Sequence, residues 1–143
     1  ELALMLRDLE AKSIPINFLL PIAGNRLKNV QNLSPGYCLR ILCLFRFLNP
    51  QAEIRTAAGR EYHLRSMEVM SLYPANSLFM DGYLNTRGKS RKDTLQMISD
   101  AGFTIKSDIS AEELLLHETA DAGDDDRAIP DLKSDADLHP SRN

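Results

Sequence analysis

The stretch Ile54-Arg55-Thr56-Ala57-Ala58-Gly59-Arg60-Glu61 indicates a short apolar strand that ends in a polar, glycine-containing turn. A strand that is covered on both faces is expected to be nearly all apolar, yet this strand carries the charged side chain of Arg55. Burial of a charge is costly unless another group pairs with it. Arg55 therefore requires a partner, and the nature of that partner is the functional question that this stretch raises.

The chain repeats this arrangement of strand, loop and helix. Apolar runs predict strands over residues 14–20, 52–57 and 76–80. Helical spacing, caps and breakers predict helices over residues 1–12, 36–48 and 61–73, and a fourth that begins after Ser90 and ends at Gly102. Strands that alternate with helices indicate a parallel sheet, so the predicted fold class is α/β.

Three such units do not close a (β/α)8 barrel, which needs about 200 residues or more. An open three-stranded sheet would also leave strand edges bare. We therefore predict that residues 1–106 are the last three β/α units of a larger TIM-type barrel. The alternative is a small, self-sufficient three-stranded α/β domain. Glu1 falls within a predicted helix, which suggests that the chain is a fragment.

The composition of the 143-residue chain, with 43% hydrophobic and 26% charged residues, is typical of a soluble globular protein. No apolar run reaches the roughly 18 residues of a membrane span, and two cysteines do not form a disulfide framework, so we expect a reducing, cytoplasmic location. The body is near neutral, which argues against a nucleic-acid partner, whereas residues 121–143 hold seven Asp and three Lys or Arg. We predict that residues 107–143 form a mostly disordered acidic tail, in which Ser110 to Glu118 could form one short helix.

The cysteines and histidines do not indicate a metal site. Cys38 and Cys43 lie five positions apart on a predicted helix, about 140° apart around its axis, so they cannot present both thiolates to one metal ion. We interpret both as core or helix-packing residues. His63, His117 and His139 are scattered along the chain.

Three stretches carry a resemblance to a known family. The segments Ile14-Pro15-Ile16-Asn17-Phe18-Leu19-Leu20, Ile54 to Glu61 and Asn76 to Thr86 resemble, in order and spacing, the last barrel strands and loops of biotin synthases, which are radical S-adenosylmethionine enzymes. The resemblance implies conversion of dethiobiotin to biotin by radical-mediated sulfur insertion, with a [4Fe-4S] cluster, a [2Fe-2S] cluster and S-adenosylmethionine as cofactors. It also implies a homodimer that receives electrons from a donor protein.

The resemblance assigns roles to three residues. Arg55 matches an unusual arginine ligand of the [2Fe-2S] cluster, Asn17 matches a residue that contacts dethiobiotin, and Leu20 is expected near the adenine of S-adenosylmethionine. Three polar residues, Asn17, Arg55 and Asn76, lie on or beside the three strands. In such barrels the active site is at the C-terminal edge of the strands. The residues alone leave alternatives open: Arg55 paired with a carboxylate, Asn17 as a strand-end amide that satisfies backbone groups, and Leu20 as ordinary core.

The sequence lacks the Cys-x-x-x-Cys-x-x-Cys motif that holds the [4Fe-4S] cluster in this family, so the chain alone is expected to be inactive and to supply no catalytic residue. Two other functions remain open. One is a related radical enzyme of the hydrogenase-cofactor maturase or 3-methylornithine synthase type, and the other is an inactive orphan barrel fragment. Gly59, Arg60 and Glu61 are interpreted as structural.

Overall fold

The computed structural model describes residues 1–20, 33–80 and 89–110, together with Glu113 and Leu115. The chain divides into two compact units, Glu1–Phe79 and Met80–Asn143. Most of the two predicted loops, over residues 21–33 and 81–89, lies outside the described residues, as do residues 119–143 of the predicted tail. The predicted domain boundary after residue 106 stays a prediction.

The first unit contains a three-stranded parallel sheet with helices between the strands. Along the chain its elements are α1 (Leu2–Asp8), β1 (Ser13–Ile16), α2 (Pro35–Leu48), β2 (Glu53–Thr56), α3 (Arg60–Leu64), a 3₁₀ helix (Arg65–Leu72) and β3 (Ser77–Leu78). The strands lie in the order β1-β2-β3, with Arg55 of β2 beside Ser77 of β3. The predicted α/β class and parallel sheet are confirmed, although each strand is shorter than predicted.

The two faces of the sheet differ in chemistry. Ile14, Ile16 and Ile54 are buried in one apolar cluster with residues of α2, as the alternation of side chains along a strand predicts. The opposite face, which includes Ser13 and Arg55, is polar and at least partly exposed. In the described part of the chain one face is therefore covered and the other is open, which explains how β2 accommodates a charged side chain.

Helix α2 forms the other side of the apolar cluster. It begins as predicted, because the Ser34 hydroxyl accepts a hydrogen bond from the Tyr37 backbone N–H at 3.3 Å. Cys38 and Leu42 are fully buried, and burial raises the pKa of the Cys38 thiol. The prediction that both cysteines pack in the core is wrong for Cys43, which is exposed because it lies on the opposite side of the helix.

Two helices of the first unit are shorter than predicted, and each ends close to a non-glycine residue with positive φ. Helix α1 ends at Asp8 instead of residue 12, and Glu10 has a φ of 52°. Helix α3 ends at Leu64, and the next residue, Arg65, also has a φ of 52°. A 3₁₀ helix takes the place of the α-helix that was predicted to continue to residue 73. Apolar spacing in the sequence does not reveal such backbone breaks.

The second unit contains helix α4 (Arg91–Asp100), which has the predicted caps at both ends. The Ser90 hydroxyl accepts from the Asp93 backbone N–H at 3.1 Å. Gly102 has a φ of 77°, and the N–H groups of residues 102 and 103 return to the carbonyls of residues 99 and 98, which is the Schellman arrangement. None of the described helices is long and apolar enough to cross a membrane.

The start of the short helix predicted from residue 110 is also described. The Ser110 hydroxyl accepts from the Glu113 N–H at 3.1 Å, and a Glu113 carboxylate oxygen accepts from the Ser110 N–H at 2.9 Å. This reciprocal pair is a capping box, which fixes the first turn of a helix. The remainder of the predicted helix, apart from Leu115, lies outside the described residues.

Candidate functional site

The open face of the sheet carries a connected set of polar side chains centred on Arg55. The guanidinium of Arg55 forms an ion pair with Glu53 on the same strand, and its Nε donates to the Ser77 hydroxyl at 3.0 Å. The Ser13 hydroxyl donates to Glu53 at 3.4 Å. All three strands therefore contribute one or more side chains to the set.

The partner that Arg55 requires is thus a carboxylate, together with an aromatic ring. The Arg55 Cζ atom lies 5.3 Å from the centre of the Phe79 ring, within the range of a cation–π interaction. The hydrogen bond from Arg55 is the main cause that holds the pKa of Glu53 below its usual value. The side chain of Arg55 is 33% exposed, so this group is anchored but still open to a ligand on the uncovered face.

Asn17 lies on the same side of the sheet, just beyond the end of β1. Its amide oxygen accepts a hydrogen bond from the Ala58 backbone N–H at 3.1 Å, which ties the end of β1 to the turn after β2. Strand spacings place the Cα atoms of Asn17 and Arg55 about 8 Å apart. The amide oxygen therefore has a structural partner, whereas the NH₂ donors of this exposed side chain have no hydrogen bond among the described residues. Leu20, at the edge of the described segment, is partly buried.

The backbone after β1 is held closely by the turn after β2. The Phe18 N–H donates to the Ala58 carbonyl at 2.8 Å, and Gly59 lies so close to Phe18 that a Cβ on Gly59 would be 2.1 Å from the Phe18 carbonyl oxygen. His63 is 2% exposed, and its Nε2 lies 2.9 Å from the Leu19 carbonyl oxygen, which can only accept. His63 Nε2 therefore carries the proton and fixes the segment that bears Asn17 and Leu20.

Replacement of His63 by leucine is expected to lower the free energy of unfolding by about 1–2 kcal/mol, because the Leu19 carbonyl loses its donor. Replacement by glutamine should cost less than half as much, since a Gln amide nitrogen can occupy the place of Nε2. Urea unfolding of the two variants measures the difference. Equal losses for leucine and glutamine would show that ring packing, and not the hydrogen bond, accounts for the role of His63.

A buried charge network, which the sequence did not reveal, joins the start of α3 to the 3₁₀ helix that follows it. The side chains of Arg60 and Glu68 are each 1% exposed, and Arg60 Nε lies 2.9 Å from a Glu68 carboxylate oxygen. Arg60 further contacts Glu61 at 2.5 Å and donates to the Phe79 carbonyl at 3.0 Å. A continuous α-helix would separate residues 60 and 68 by about 12 Å along its axis, so the break at Arg65 helps the two side chains to meet.

Asn76 does not join the site around Arg55. Its amide oxygen accepts from Arg46 Nη2 on α2 at 2.7 Å and from the Ile54 backbone N–H at 2.9 Å. Arg46 also donates to the carbonyls of Pro74 and Ala52, at 2.7 and 2.8 Å. The interpretation of Asn76 as part of a shared site is therefore wrong, and Asn76 belongs to a network that joins α2 to the starts of β2 and β3.

Metal-binding side chains do not cluster in the described part of the chain. No group of three or more His, Cys, Asp or Glu residues there is arranged to hold a metal ion.

The fold and the site together are those of an α/β segment whose parallel strands carry a polar site on one open face. Residues 15–104 match the family model of the Biotin and Thiamin Synthesis associated domain, and the chain belongs to this family. The matched residues include β2 with Arg55 and Glu53, and Ser77 of β3.

Individual relatives identify the branch of the family. The chain is 54% identical over 110 residues to a biotin synthase of Acaryochloris marina, 55% identical over 106 residues to one of Magnetococcus marinus, and 47% identical over 107 residues to one of Bacillus subtilis. These alignments cover 77%, 74% and 75% of the chain but only 32%, 33% and 32% of the relatives. The chain thus corresponds to the C-terminal part of biotin synthases and spans about a third of their length.

Proposed function

We propose that this chain is the C-terminal part of a biotin synthase, which inserts sulfur into dethiobiotin by radical chemistry that depends on S-adenosylmethionine. The observation that carries the proposal is the similarity to biotin synthases, with 54% and 55% identity over 77% and 74% of the chain. The placement of Arg55 on the open face of the sheet, anchored by Glu53 and Ser77, agrees with it. The activity would require the remainder of the protein, including the cysteines that hold both iron–sulfur clusters.

The proposed architecture follows from the same observations. A three-stranded parallel sheet with one face covered by helices and one polar open face is the arrangement of one sector of a (β/α)8 barrel. We propose that the open face lines the interior of the barrel, where strands from the rest of the protein cover it. A dimer of such barrels, with electrons supplied by a donor protein, completes the proposal.

Arg55 would hold the [2Fe-2S] cluster, and its surroundings fit that role. Its Nε and one Nη atom are engaged by Ser77 and Glu53, whereas the other Nη atom has no hydrogen bond among the described residues. Glu53 and Ser77 therefore orient the side chain. A guanidinium has only N–H donors, so the remaining nitrogen would bond iron only after it gives up a proton to a base supplied by the complete protein. The cluster, when bound, would supply the sulfur for the product.

Asn17 and Leu20 would bind the organic ligands. The NH₂ group of Asn17 would donate to the ureido oxygen of dethiobiotin, while its amide oxygen remains bonded to Ala58. Leu20 would pack against the adenine of S-adenosylmethionine. His63 and Gly59 hold the backbone of Phe18 and Leu19 against the turn after β2. The distance between the proposed substrate site and Arg55 would therefore be fixed.

Arg55→Ala is expected to change the visible absorption of the [2Fe-2S] cluster, because a nitrogen ligand is lost. The experiment uses the complete gene product, reconstituted with iron and sulfide. Arg40→Ala is the matched control, since Arg40 is an exposed arginine on α2 that contacts Tyr37. The proposed role of Arg55 is wrong if the Arg55→Ala spectrum equals that of wild type. Growth of a bacterium that lacks biotin synthase, when supplied with this gene and dethiobiotin, tests the activity itself.

Asn17→Asp is expected to weaken dethiobiotin binding about 10- to 100-fold, because it removes the NH₂ donors, with little change in stability, since an oxygen still accepts from Ala58. Asn17→Ala should weaken binding to a similar degree and also lower the free energy of unfolding by about 1 kcal/mol. Equilibrium binding of dethiobiotin and urea unfolding measure the two effects. Wild-type affinity in Asn17→Asp would assign Asn17 a purely structural role.

A further inference from the structure

The side chain of Arg60, the first residue of α3, is almost completely buried. It contacts Glu68 and Glu61 and donates to the Phe79 carbonyl, and its side chain is only 1% exposed. Replacement of a buried ion pair by apolar residues is often neutral or stabilising, so such a pair is weak evidence for a role in stability. The role of Arg60 is therefore better inferred from the group that it holds in place.

The group that Arg60 holds is the peptide of Phe79. The Phe79 N–H donates to the Thr56 carbonyl at 3.0 Å, and the Phe79 carbonyl accepts from Arg60 Nη1 at 3.0 Å. Both backbone polar groups are thus fixed by β2 and by the turn that follows it. Since the backbone is fixed on both sides, the direction in which the Phe79 side chain leaves it is fixed as well.

The ring of Phe79 lies against Arg55. The distance from the ring centre to Arg55 Cζ is 5.3 Å, and the guanidinium is held at its edges by Ser77 and Glu53. The guanidinium carbon lies over the ring, and the two polar partners hold two of its nitrogens. Removal of the ring would leave the guanidinium free to tilt.

We propose that Arg60 is a positioning residue for Arg55 and acts through Phe79. Glu68 anchors Arg60, Arg60 fixes the Phe79 peptide, and the Phe79 ring sets the tilt of the Arg55 guanidinium. The consequence for a cluster ligand rests on the proposed function, whereas the mechanical link between Arg60 and Arg55 is independent of it.

The first experiment follows Arg55 directly, without a cluster. In the complete gene product without its clusters, labelled with ¹⁵N-arginine, the ring current of Phe79 is expected to shift the Nε–H resonance of Arg55, which Arg55→Lys identifies by its disappearance. Phe79→Leu abolishes this shift. Arg60→Lys, which keeps the charge but cannot reproduce the contacts of the guanidinium, is expected to move the resonance most of the way to its Phe79→Leu position. Phe79→Tyr, which keeps the ring, should retain the wild-type position.

The second experiment reads the [2Fe-2S] spectrum of the reconstituted complete gene product. Arg60→Lys and Phe79→Leu should shift the visible circular dichroism in the same direction, and the double variant should equal Phe79→Leu alone. Arg40→Ala is the control, because Arg40 is an exposed arginine on α2 that contacts Tyr37. Thermal unfolding confirms that each variant is folded.

The outcomes separate the two proposals. An unmoved Arg55 resonance in folded Arg60→Lys overturns the positioning role, and so does a double variant whose resonance shift is the sum of the two single shifts. If the resonance moves in Arg60→Lys but Arg55→Ala leaves the cluster spectrum unchanged, the positioning role stands and Arg55 is not a cluster ligand.

Discussion

Gly59→Ala is expected to lower the free energy of unfolding by about 3–5 kcal/mol, through two effects that act together. Gly59 has a φ of 79°, a conformation that side-chain-bearing residues rarely adopt. Its new Cβ would also lie 2.1 Å from the Phe18 carbonyl oxygen and 3.2 Å from the His63 ring. Because the nearest atom belongs to the backbone, the contact cannot be relieved by a change of side-chain rotamer.

Two other glycines separate these effects. Gly102 has a φ of 77°, but a Cβ added there would have no atom within 4 Å, so Gly102→Ala should cost only the conformational term of about 1–2 kcal/mol. Gly36 lies in the first turn of α2 with open space around it, and Gly36→Ala should be neutral or stabilising by up to about 1 kcal/mol. Urea unfolding of the three variants gives the comparison. A loss in Gly59→Ala no larger than that in Gly102→Ala would show that the approach to Phe18 is not tight.

The substitution Gly59→Ala is also expected to affect ligand binding. The displaced Phe18 carbonyl belongs to the segment between Asn17 and Leu20. If these residues bind dethiobiotin as proposed, Gly59→Ala should also weaken that binding in the complete protein. The turn after β2 would thus act on the proposed substrate site through packing. Gly59 was interpreted from the sequence as structural, but through this packing it would also affect the proposed site.

The sequence was sufficient to predict the α/β class, the parallel sheet and the ends of α2 and α4. These features depend on local signals: apolar runs, the Ser34 and Ser90 caps, and Gly102 at the end of a helix. The need of Arg55 for a partner was also predictable from its charge. Its partner Glu53 lies two positions earlier, on the same face of the strand, and strand alternation alone would have identified it.

Other features depend on contacts between distant parts of the chain. The 3.6-residue period did not indicate that the helix from residue 60 breaks at Arg65, because that break accompanies the buried contact of Arg60 with Glu68. Likewise, a helical period predicts which residues share a face but not what covers it. Cys43 was therefore predicted to be packed and is exposed.

Some features of the candidate site were predictable from local sequence signals, and others depend on distant contacts. Asn17 and Arg55 were predicted to share one end of the sheet, and the structure places Arg55 on β2 and Asn17 just beyond the end of the adjacent β1. The role of Arg46 was not predictable, because its four hydrogen bonds join residues up to thirty positions away. The functions proposed for Arg55, Asn17 and Leu20 come from family resemblance, since no local pattern distinguishes a cluster ligand from an ordinary ion-paired arginine.

Arg60→Met and Glu68→Leu, made singly, are each expected to lower the free energy of unfolding by about 3–5 kcal/mol, because each leaves an uncompensated charge in the interior. Both side chains are 1% exposed, so water cannot screen the remaining charge without rearrangement. Arg60→Met additionally removes the donor to the Phe79 carbonyl, and it should be the more damaging of the two.

The double variant Arg60→Met/Glu68→Leu distinguishes a buried charge pair from two independent contacts. If the ion pair dominates, the double variant removes both charges and should recover more than half of the larger single loss. Asp8→Asn serves as the control, since Asp8 belongs to an exposed ion pair with Arg7 and its removal should cost about 1 kcal/mol or less. Urea unfolding at neutral pH measures the four free energies. A double loss equal to the sum of the single losses would mean that the two charges do not interact, and that the break at Arg65 has another cause.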